Sequence, residues 1–506
     1  VLTQGRPQAS LPSVDTMTTR PATILRPLLV LLLLAVAVAG LGTSRPAAAA
    51  TDDPMAAYLD RSPASALALA VVDDGEVTVR GHGEDALGAA VDGSTPFRIA
   101  SMSKSFTATL VMVLVEQGEV DLDAPLTATL PEFAMADERA GQITLRMLLA
   151  HTSGIGGGST RDLGRPASVD PAVLLADLRD ETLAADPGTE HVYSNTGYAL
   201  AAAAVERATG RPFDQVLREE LLAPLGMDAT TALTGCADAV DGLGSGHTVV
   251  FGQVVPYPEP DDNCVGSGGM VSTAEDVATW LQFQAGDGGT PGGEPLLTTE
   301  GLRELHTPQP GTEGVDGFGL GWSFAQEQGV DLVEHGGALV TWTSHMAIVA
   351  DEQGRPTGDA AVVLTDTVGT PGMLARALAA EAAGQQIEVP AQPLVRPATV
   401  FGAVIVLVLL LGAVGLHRSR SWPQRRRRVA TRAAGLAWPT ALAILCALTP
   451  ALLARYAFGS PMGPVTSWHW GAGVLPEGLL LVALTGLVAV GLLGARLASL
   501  TRSRAA

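Results

Sequence analysis

Of the 31 lysine and arginine side chains in this sequence, one is a lysine, Lys104. An arginine stays protonated, whereas a desolvated lysine can shift its pKa and share a proton. Ser101 stands three residues earlier, in Ser101-Met102-Ser103-Lys104. At the start of a helix, residues i and i+3 share a face, so Ser101 Oγ and Lys104 Nζ can meet. The helix N-terminus adds an N–H and a positive dipole end for a developing oxyanion. This is the chemistry of a serine nucleophile with an amine as its proton partner.

Two further clusters fit that chemistry. Tyr193-Ser194-Asn195 holds one of the chain's five tyrosines. Read as an extended loop, it points Tyr193 and Asn195 the same way, toward one cleft. A nearby ammonium favours a phenolate, which makes Tyr193 a candidate general base. The other cluster is His335-Gly336-Gly337-Ala338, directly after a strand expected over 331–334. Glycines at a strand end, Gly336 and Gly337, let a substrate backbone approach closely. The N–H of Ala338 is then a candidate second oxyanion donor. His335 reads either as a substrate contact or as a structural histidine at the strand end. His151 follows a helix from Leu145, with Gly154 suited to a stop, and reads as structural.

These side chains need a frame. Residues 66–72 and 76–80 flank Asp73-Asp74-Gly75, a hairpin signal. The mostly apolar stretch 104–118 predicts a buried helix, which would desolvate Lys104. Helices are expected over 171–179, 198–209, 213–222 and 372–384, and strands over 331–334, 344–350 and 360–366. Strands at both ends with helices between predict an α+β domain. Its sheet joins N- and C-terminal strands around a helical insertion.

The chain resembles the serine β-lactamase-related family of class C-like β-lactamases, D,D-peptidases and related esterases. The resemblance covers about residues 59–384. It rests on Pro96-Phe97-Arg98-Ile99-Ala100-Ser101-Met102-Ser103-Lys104-Ser105-Phe106-Thr107, Leu148-Leu149-Ala150-His151-Thr152-Ser153-Gly154 and Tyr193-Ser194-Asn195. Ser267-Gly268-Gly269-Met270-Val271-Ser272-Thr273-Ala274-Glu275-Asp276 and Gly319-Leu320-Gly321-Trp322 also match, in the same order and spacing. The resemblance implies an antiparallel sheet flanked by helices plus a helical subdomain. It implies Ser101 as acylated nucleophile, Lys104 as its proton partner, Tyr193 as general base and acid, and Asn195 as a substrate amide contact. His335 stands where many members have lysine. The N–H groups of Ser101 and Ala338 would form the oxyanion hole. Members often continue His-Gly-Gly-Gly and then Pro-Gly, whereas here Ala338-Leu339-Val340-Thr341-Trp342 follows. That bulkier strand edge bears on substrate size and on β-lactam access.

Charge and hydropathy divide the 506 residues. Net charge is −21, yet mean hydropathy is +0.27. Residues 1–50 carry four Arg and one Asp, 51–390 carry 15 basic and 50 acidic groups, and 391–506 carry 12 Arg and one Glu. A middle segment at −35 repels phosphate backbones and disfavours nucleic acid as a partner. Arg20 and Arg26, the apolar run 28–41 and the alanines ending at Ala50 form a secretory signal. The alternative is an uncleaved anchor helix, and both readings place residue 51 onward outside the cytoplasm.

The uncharged stretches 398–416 and 433–454, and 476–495 with Glu477 at its edge, are long enough to span a bilayer. Arg425–Arg428 lie between the first two, and Arg496, Arg502 and Arg504 follow the third. The positive-inside rule then puts the acidic domain out and the C-terminus in. Trp468 and Trp470 suit the outer interface, and the basic tail suits anionic lipid. Pro390, Pro393 and Pro397 mark 385–397 as a linker. Cys236 and Cys264, 28 residues apart, either pair in an exported domain or remain buried thiols. No metal-ligand spacing stands out, and the chemistry needs no metal or organic cofactor.

The sequence therefore predicts a multi-pass membrane protein with an extracytoplasmic serine hydrolase domain over 51–384. The expected substrates are envelope amides or esters, such as D-alanyl peptides. Two alternatives are carried, a β-lactamase and a non-catalytic envelope-ligand receptor or scaffold.

Overall fold

Asp74 and Gly75 both take left-handed backbone angles, φ +46° and +85°. Two such residues in succession make the tight turn whose twist matches paired strands. They join β1 (Ala66–Asp73) to β2 (Glu76–Gly83) as the sequence predicts. This hairpin belongs to a computed structural model that describes residues 53–60, 62, 64–85, 88–156, 170–388, 397–425, 429–458 and 472–505. The expected signal segment, most of the 385–397 linker, Arg426–Arg428 and the loop with Trp468 and Trp470 lie outside the described residues.

Along the chain follow β3 (Phe97–Arg98), β4 (Thr231–Ala232), β5 (His247–Val250), β6 (Gln253–Pro256) and β7 (Met270–Ser272). Then come β8 (Ser323–Glu327), β9 (Val330–Ala338), β10 (Thr343–Ala350) and β11 (Pro356–Thr365). The main sheet is antiparallel and ordered β2-β1-β11-β10-β9-β8. Strand β1 thus pairs with the last strand of the domain, in the register Leu67↔Thr365. A small sheet β3-β7-β4 and the separate hairpin β5-β6 were not foreseen from the sequence.

The period-two alternation of strands gives the main sheet two buried faces. Ala68, Ala70, Val362, Leu364, Met346 and Ile348 face one core, with Val277, Trp280 and Leu281 of helix α3. Leu67, Leu69, Ala361, Val363, Ala347 and Val349 face the other, with Leu374, Ala375 and Leu378 of helix α4. The helices are α1 (Ser103–Glu116), α2 (Asn195–Thr209), α3 (Ala274–Ala285) and α4 (Gly372–Ala382). This is the predicted α+β domain with a helical insertion.

Two boundaries differ in ways that matter for chemistry. Helix α2 begins at Asn195, not at 198, because Ser194 caps it by accepting the Gly197 N–H. Asn195 is therefore a first-turn helical residue rather than part of an extended loop. Strand β9 does not stop at 334 but runs through His335-Gly336-Gly337-Ala338, each paired to β10. The glycines lie inside the ladder, where neighbours leave no room for a side chain.

Three long helices follow: α5 (Pro397–Ser419), α6 (Val429–Phe458) and α7 (Pro476–Ala505). Each is long and apolar enough to cross a membrane. Helix α7 packs against both others at glycines, with Val488 filling the space beside Gly412 and Cys446 lying beside Gly486. Leu411, Leu452 and Leu487 point outward and exposed, as lipid-facing side chains would.

Candidate active site

Ser101 sits in a one-turn 3₁₀ helix, Ala100–Met102, that runs directly into α1. The residue before it, Ala100, has φ +49°, uncommon for a residue with a Cβ. The turn is pinned from both sides. The Ile99 N–H donates to Met270 O at 3.0 Å, and Ser103 Oγ donates to Ala100 O at 2.6 Å while accepting the Met270 N–H at 3.2 Å. The short strand β7 thus fixes the backbone that presents Ser101.

Lys104 is fully buried, one helical turn on. Its Nζ lies 3.2 Å from Ser101 Oγ, 2.7 Å from Asn195 Oδ1 and 2.7 Å from the Ser267 carbonyl oxygen. A buried ammonium without such acceptors would be strongly disfavoured. Tyr193 supplies the next contact: its hydroxyl donates to Ser101 Oγ at 3.0 Å. The Tyr193 ring also takes the Lys104 ammonium at 4.8 Å from its centroid, and the buried Tyr198 ring takes it at 5.4 Å. Tyr193 is 41% exposed, so this face of the cluster opens to solvent. Ser101, Lys104, Tyr193 and Asn195 come together as the spacing predicts.

His151 supports the tyrosine from behind. It is fully buried, has φ +59°, and its Nδ1 accepts the Ser194 N–H at 3.1 Å. Its ring lies 4.3 Å from the Tyr193 ring. Burial first, and then the charge of Lys104, push its pKa well below the usual histidine range, so it is neutral.

Strand β9 closes the other side. A Cβ on Gly337 would lie 2.4 Å from the Ile99 carbonyl oxygen and 2.2 Å from Ser344 Oγ. Only glycine lets β9 lie against the backbone leading to Ser101. Ala338, the next residue, is exposed at the strand end. His335 lies on the same face of the strand as Gly337 but bonds to none of Ser101, Lys104, Tyr193 and Asn195. Its Nδ1 is 2.7 Å from Gly336 O. A carbonyl only accepts, so Nδ1 carries the proton and Nε2 presents a lone pair. Nε2 is buried near Phe318 without a partner among the described residues. Burial, then Lys104, hold this histidine down at about 3.

Behind the sheet, Glu334 receives His345 at 3.1 Å and Arg376 Nε at 2.7 Å, which fixes the strand from its far face. Gly319-Leu320-Gly321-Trp322 packs on α1, where a Cβ at Gly321 would lie 2.9 Å from Lys104 O.

Sequence reasoning did not single out the Ser267 carbonyl or Tyr198, and it assigned His151 no contact. A main-chain acceptor carries no side-chain signature. The available signal was the pair Gly268-Gly269, where a Cβ on Gly269 would meet Leu233 O at 2.3 Å. Cys236 and Cys264 are joined by a disulfide. The Cys264 carbonyl accepts the N–H groups of Ser267, Gly268 and Gly269 at 3.1, 3.0 and 2.9 Å. The bridge therefore anchors the loop that offers Ser267 O to Lys104. Among the described residues, no cluster of three or more His, Cys, Asp or Glu is placed to hold a metal ion.

A family model described as Beta-lactamase matches residues 52–385. Penicillin-binding protein 4 of Amycolatopsis lactamdurans is 33% identical over 298 residues, 56% of this chain and 77% of that protein. The D-alanyl-D-alanine-carboxypeptidase/endopeptidase AmpH of Escherichia coli is 33% identical over 230 residues, 44% of this chain and 57% of that protein. Among solved structures, the octameric penicillin-binding protein homologue from Pyrococcus abyssi aligns with a TM-score of 0.54 at 21% identity. That alignment covers 72% of this chain and 78% of the other and is a likeness of fold.

Proposed function

The chain belongs to the Beta-lactamase family and is a serine hydrolase of that fold, and on that premise we propose a membrane-tethered extracytoplasmic enzyme that acylates Ser101 with envelope amides or esters. One observation carries the reading. Ser101 Oγ has the buried Lys104 ammonium at 3.2 Å and the Tyr193 hydroxyl at 3.0 Å. These are hydrogen-bond distances for proton transfer.

Tyr193, as phenolate, takes the Ser101 proton while Oγ bonds to the carbonyl carbon. The N–H groups of Ser101 and Ala338 hold the oxyanion. Tyr193 then gives the proton to the leaving amine or alkoxide as the scissile bond breaks. Water next gives a proton to Tyr193 and attacks the acyl carbonyl, and Tyr193 returns that proton to Ser101 Oγ. Lys104 keeps Ser101 and Asn195 in register and stabilises the phenolate by its charge. Asn195 and the β9 edge at Gly337 hold the substrate's amide groups.

The likeness to a D-alanyl carboxypeptidase/endopeptidase supports D-alanyl amides as the substrate class. The neutral His335 brings no positive charge of its own to a free carboxylate beside the scissile bond, which favours the endopeptidase, amide and ester members of that class. Three apolar helices support the tether, and the basic residues flanking them support an outer catalytic domain.

The test is covalent labelling with an activated acyl or fluorophosphonate probe, read by intact mass. The expected result is one adduct on the wild type and none on Ser101→Ala. Labelling that persists in that variant sinks the assignment. Turnover after acylation separates an enzyme from a receptor that is acylated once.

A further inference from the structure

We propose that the spanning helices seat the cleft on the bilayer surface, so that the enzyme draws amphiphilic esters or amides from the lipid interface. The apolar chain of such a substrate stays among the lipids while its acyl group reaches Ser101. The inference rests on the hydrolase reading above and on α5–α7 as membrane spans.

The hairpin β5-β6 is the first point of attachment. Its tip, Phe251-Gly252, reaches the starts of both α5 and α7. The Phe251 N–H donates to Glu477 Oε1 at 2.5 Å, and Glu477 is buried although it stands in the first turn of an apolar helix. The Phe251 ring edge lies 3.6 Å from where a Cβ on Gly402 of α5 would be. At the hairpin's other end, Thr248 Oγ1 donates to Gly473 O. In the topology set by the flanking arginines, the starts of α5 and α7 lie at the same outer face.

The second point of attachment is the rim of the cleft. A Cβ on Gly473 would collide with Val340 Cγ1 and come within 3.2 Å of Tyr257. Val340 is two residues past Ala338, at most about 7 Å along the chain. The approach to α7 therefore packs against the turn that follows the candidate oxyanion strand. That turn is held in place by Glu259, which accepts the Val340 and Thr341 N–H groups at 3.0 and 2.9 Å. A flexible tether would leave the cleft free to face any direction. Two contacts, one at the hairpin tip and one at the rim, fix the direction instead. Phe251, Val255, Val474 and Leu475 are exposed apolar side chains of these same segments. They give the rim an apolar edge where the helices enter the lipid.

The test uses the full chain in phosphatidylcholine vesicles and two fluorophosphonates that differ only in chain, ethyl or hexadecyl. Ser101 labelling by the hexadecyl probe should be about tenfold faster or more, because the longer chain partitions into lipid. Phe251→Asp and, separately, Glu477→Ala should bring the ratio of rates close to unity without changing the ethyl rate. The ethyl rate reports that the site is intact, and either variant that keeps it decides the matter. A wild-type ratio near unity, or a ratio unchanged in the variants, overturns the proposal. Failure of both probes on the wild type overturns the hydrolase reading itself, and this inference with it.

Discussion

The Lys104 ammonium donates to the main-chain carbonyl of Ser267 at 2.7 Å, across 163 residues of sequence. A carbonyl cannot ionise or rotate away, so this bond fixes Nζ whatever the protonation state of Ser101 or Tyr193. The amine is held by backbone on one side and by Asn195 on the other, which leaves a single direction for Ser101.

Lys104→Arg should therefore be nearly as damaging as removing the amine. The guanidinium is larger, planar and permanently charged, and the slot is fully buried. Acylation of Ser101 is expected to fall about 1000-fold, roughly 4 kcal/mol of barrier. Pre-steady-state acylation by an activated ester measures it. A rate near wild type would overturn the role of Lys104 in holding Ser101 and Asn195 in register.

The Cys236–Cys264 bridge should matter for rate as well as stability, because Cys264 O holds the N–H groups of Ser267, Gly268 and Gly269. Cys236→Ser is expected to cost about 3.5 kcal/mol of stability for a loop of this length. It should also slow acylation at temperatures where the domain is still folded. Thermal unfolding and acylation of the same sample separate the two effects. A lower unfolding temperature with an unchanged acylation rate would limit the bridge to stability.

Gly337→Ala places a methyl 2.4 Å from Ile99 O and 2.2 Å from Ser344 Oγ. The strand must move away from the Ser101 turn, at a cost of about 1–3 kcal/mol in folding. Acylation is expected to drop about 100-fold as the Ala338 N–H leaves its place beside the oxyanion. Retained acylation by a folded variant would place the second oxyanion donor elsewhere.

Acid should destabilise the domain through two buried groups. His335 is held at about 3, by burial and then by Lys104. Below pH 6.5 the unfolded chain binds a proton that the folded chain refuses, so stability falls as pH drops from 6.5 toward 3. At Glu334 burial opposes the charge, but hydrogen bonds from His345 and Arg376 prevail and bring it to about 2. Its contribution is present above its ordinary value of 4.5 and is lost as pH falls through 2. Urea unfolding between pH 7 and pH 4 should show a loss on the order of 3 kcal/mol from His335, absent in His335→Gln. Equal slopes for the two proteins would mean that His335 is not held neutral.

The pattern that made Lys104 legible was its rarity and its spacing from Ser101. Both are properties of sequence alone. The β1–β2 turn was legible because Asp-Gly suits two left-handed residues. Asn195 was placed in the right cleft for the wrong local reason, since the cap at Ser194 outweighed the extended reading. Strand β9 ran further than expected because residues 335–338 pair with β10, which is distant enough in local pattern to leave no mark on those glycines. The Ser267 carbonyl and the hairpin β5-β6 stayed invisible for one reason. Their roles depend on what packs against them, and main-chain acceptors and four-residue strands leave no periodic trace.

The pairing of β1 with β11 sets a timetable for making this protein. The Ala66 N–H meets the Asp366 carboxylate across 300 residues, so β1 has one edge unsatisfied until the end of the domain emerges. At ordinary synthesis rates that interval is about 15–60 s. An unpaired strand edge can join other chains during such a wait. The first of the three long apolar helices starts at Pro397, soon after β11 ends at Thr365. A copy that stops short of β11 therefore lacks both the closed sheet and these helices.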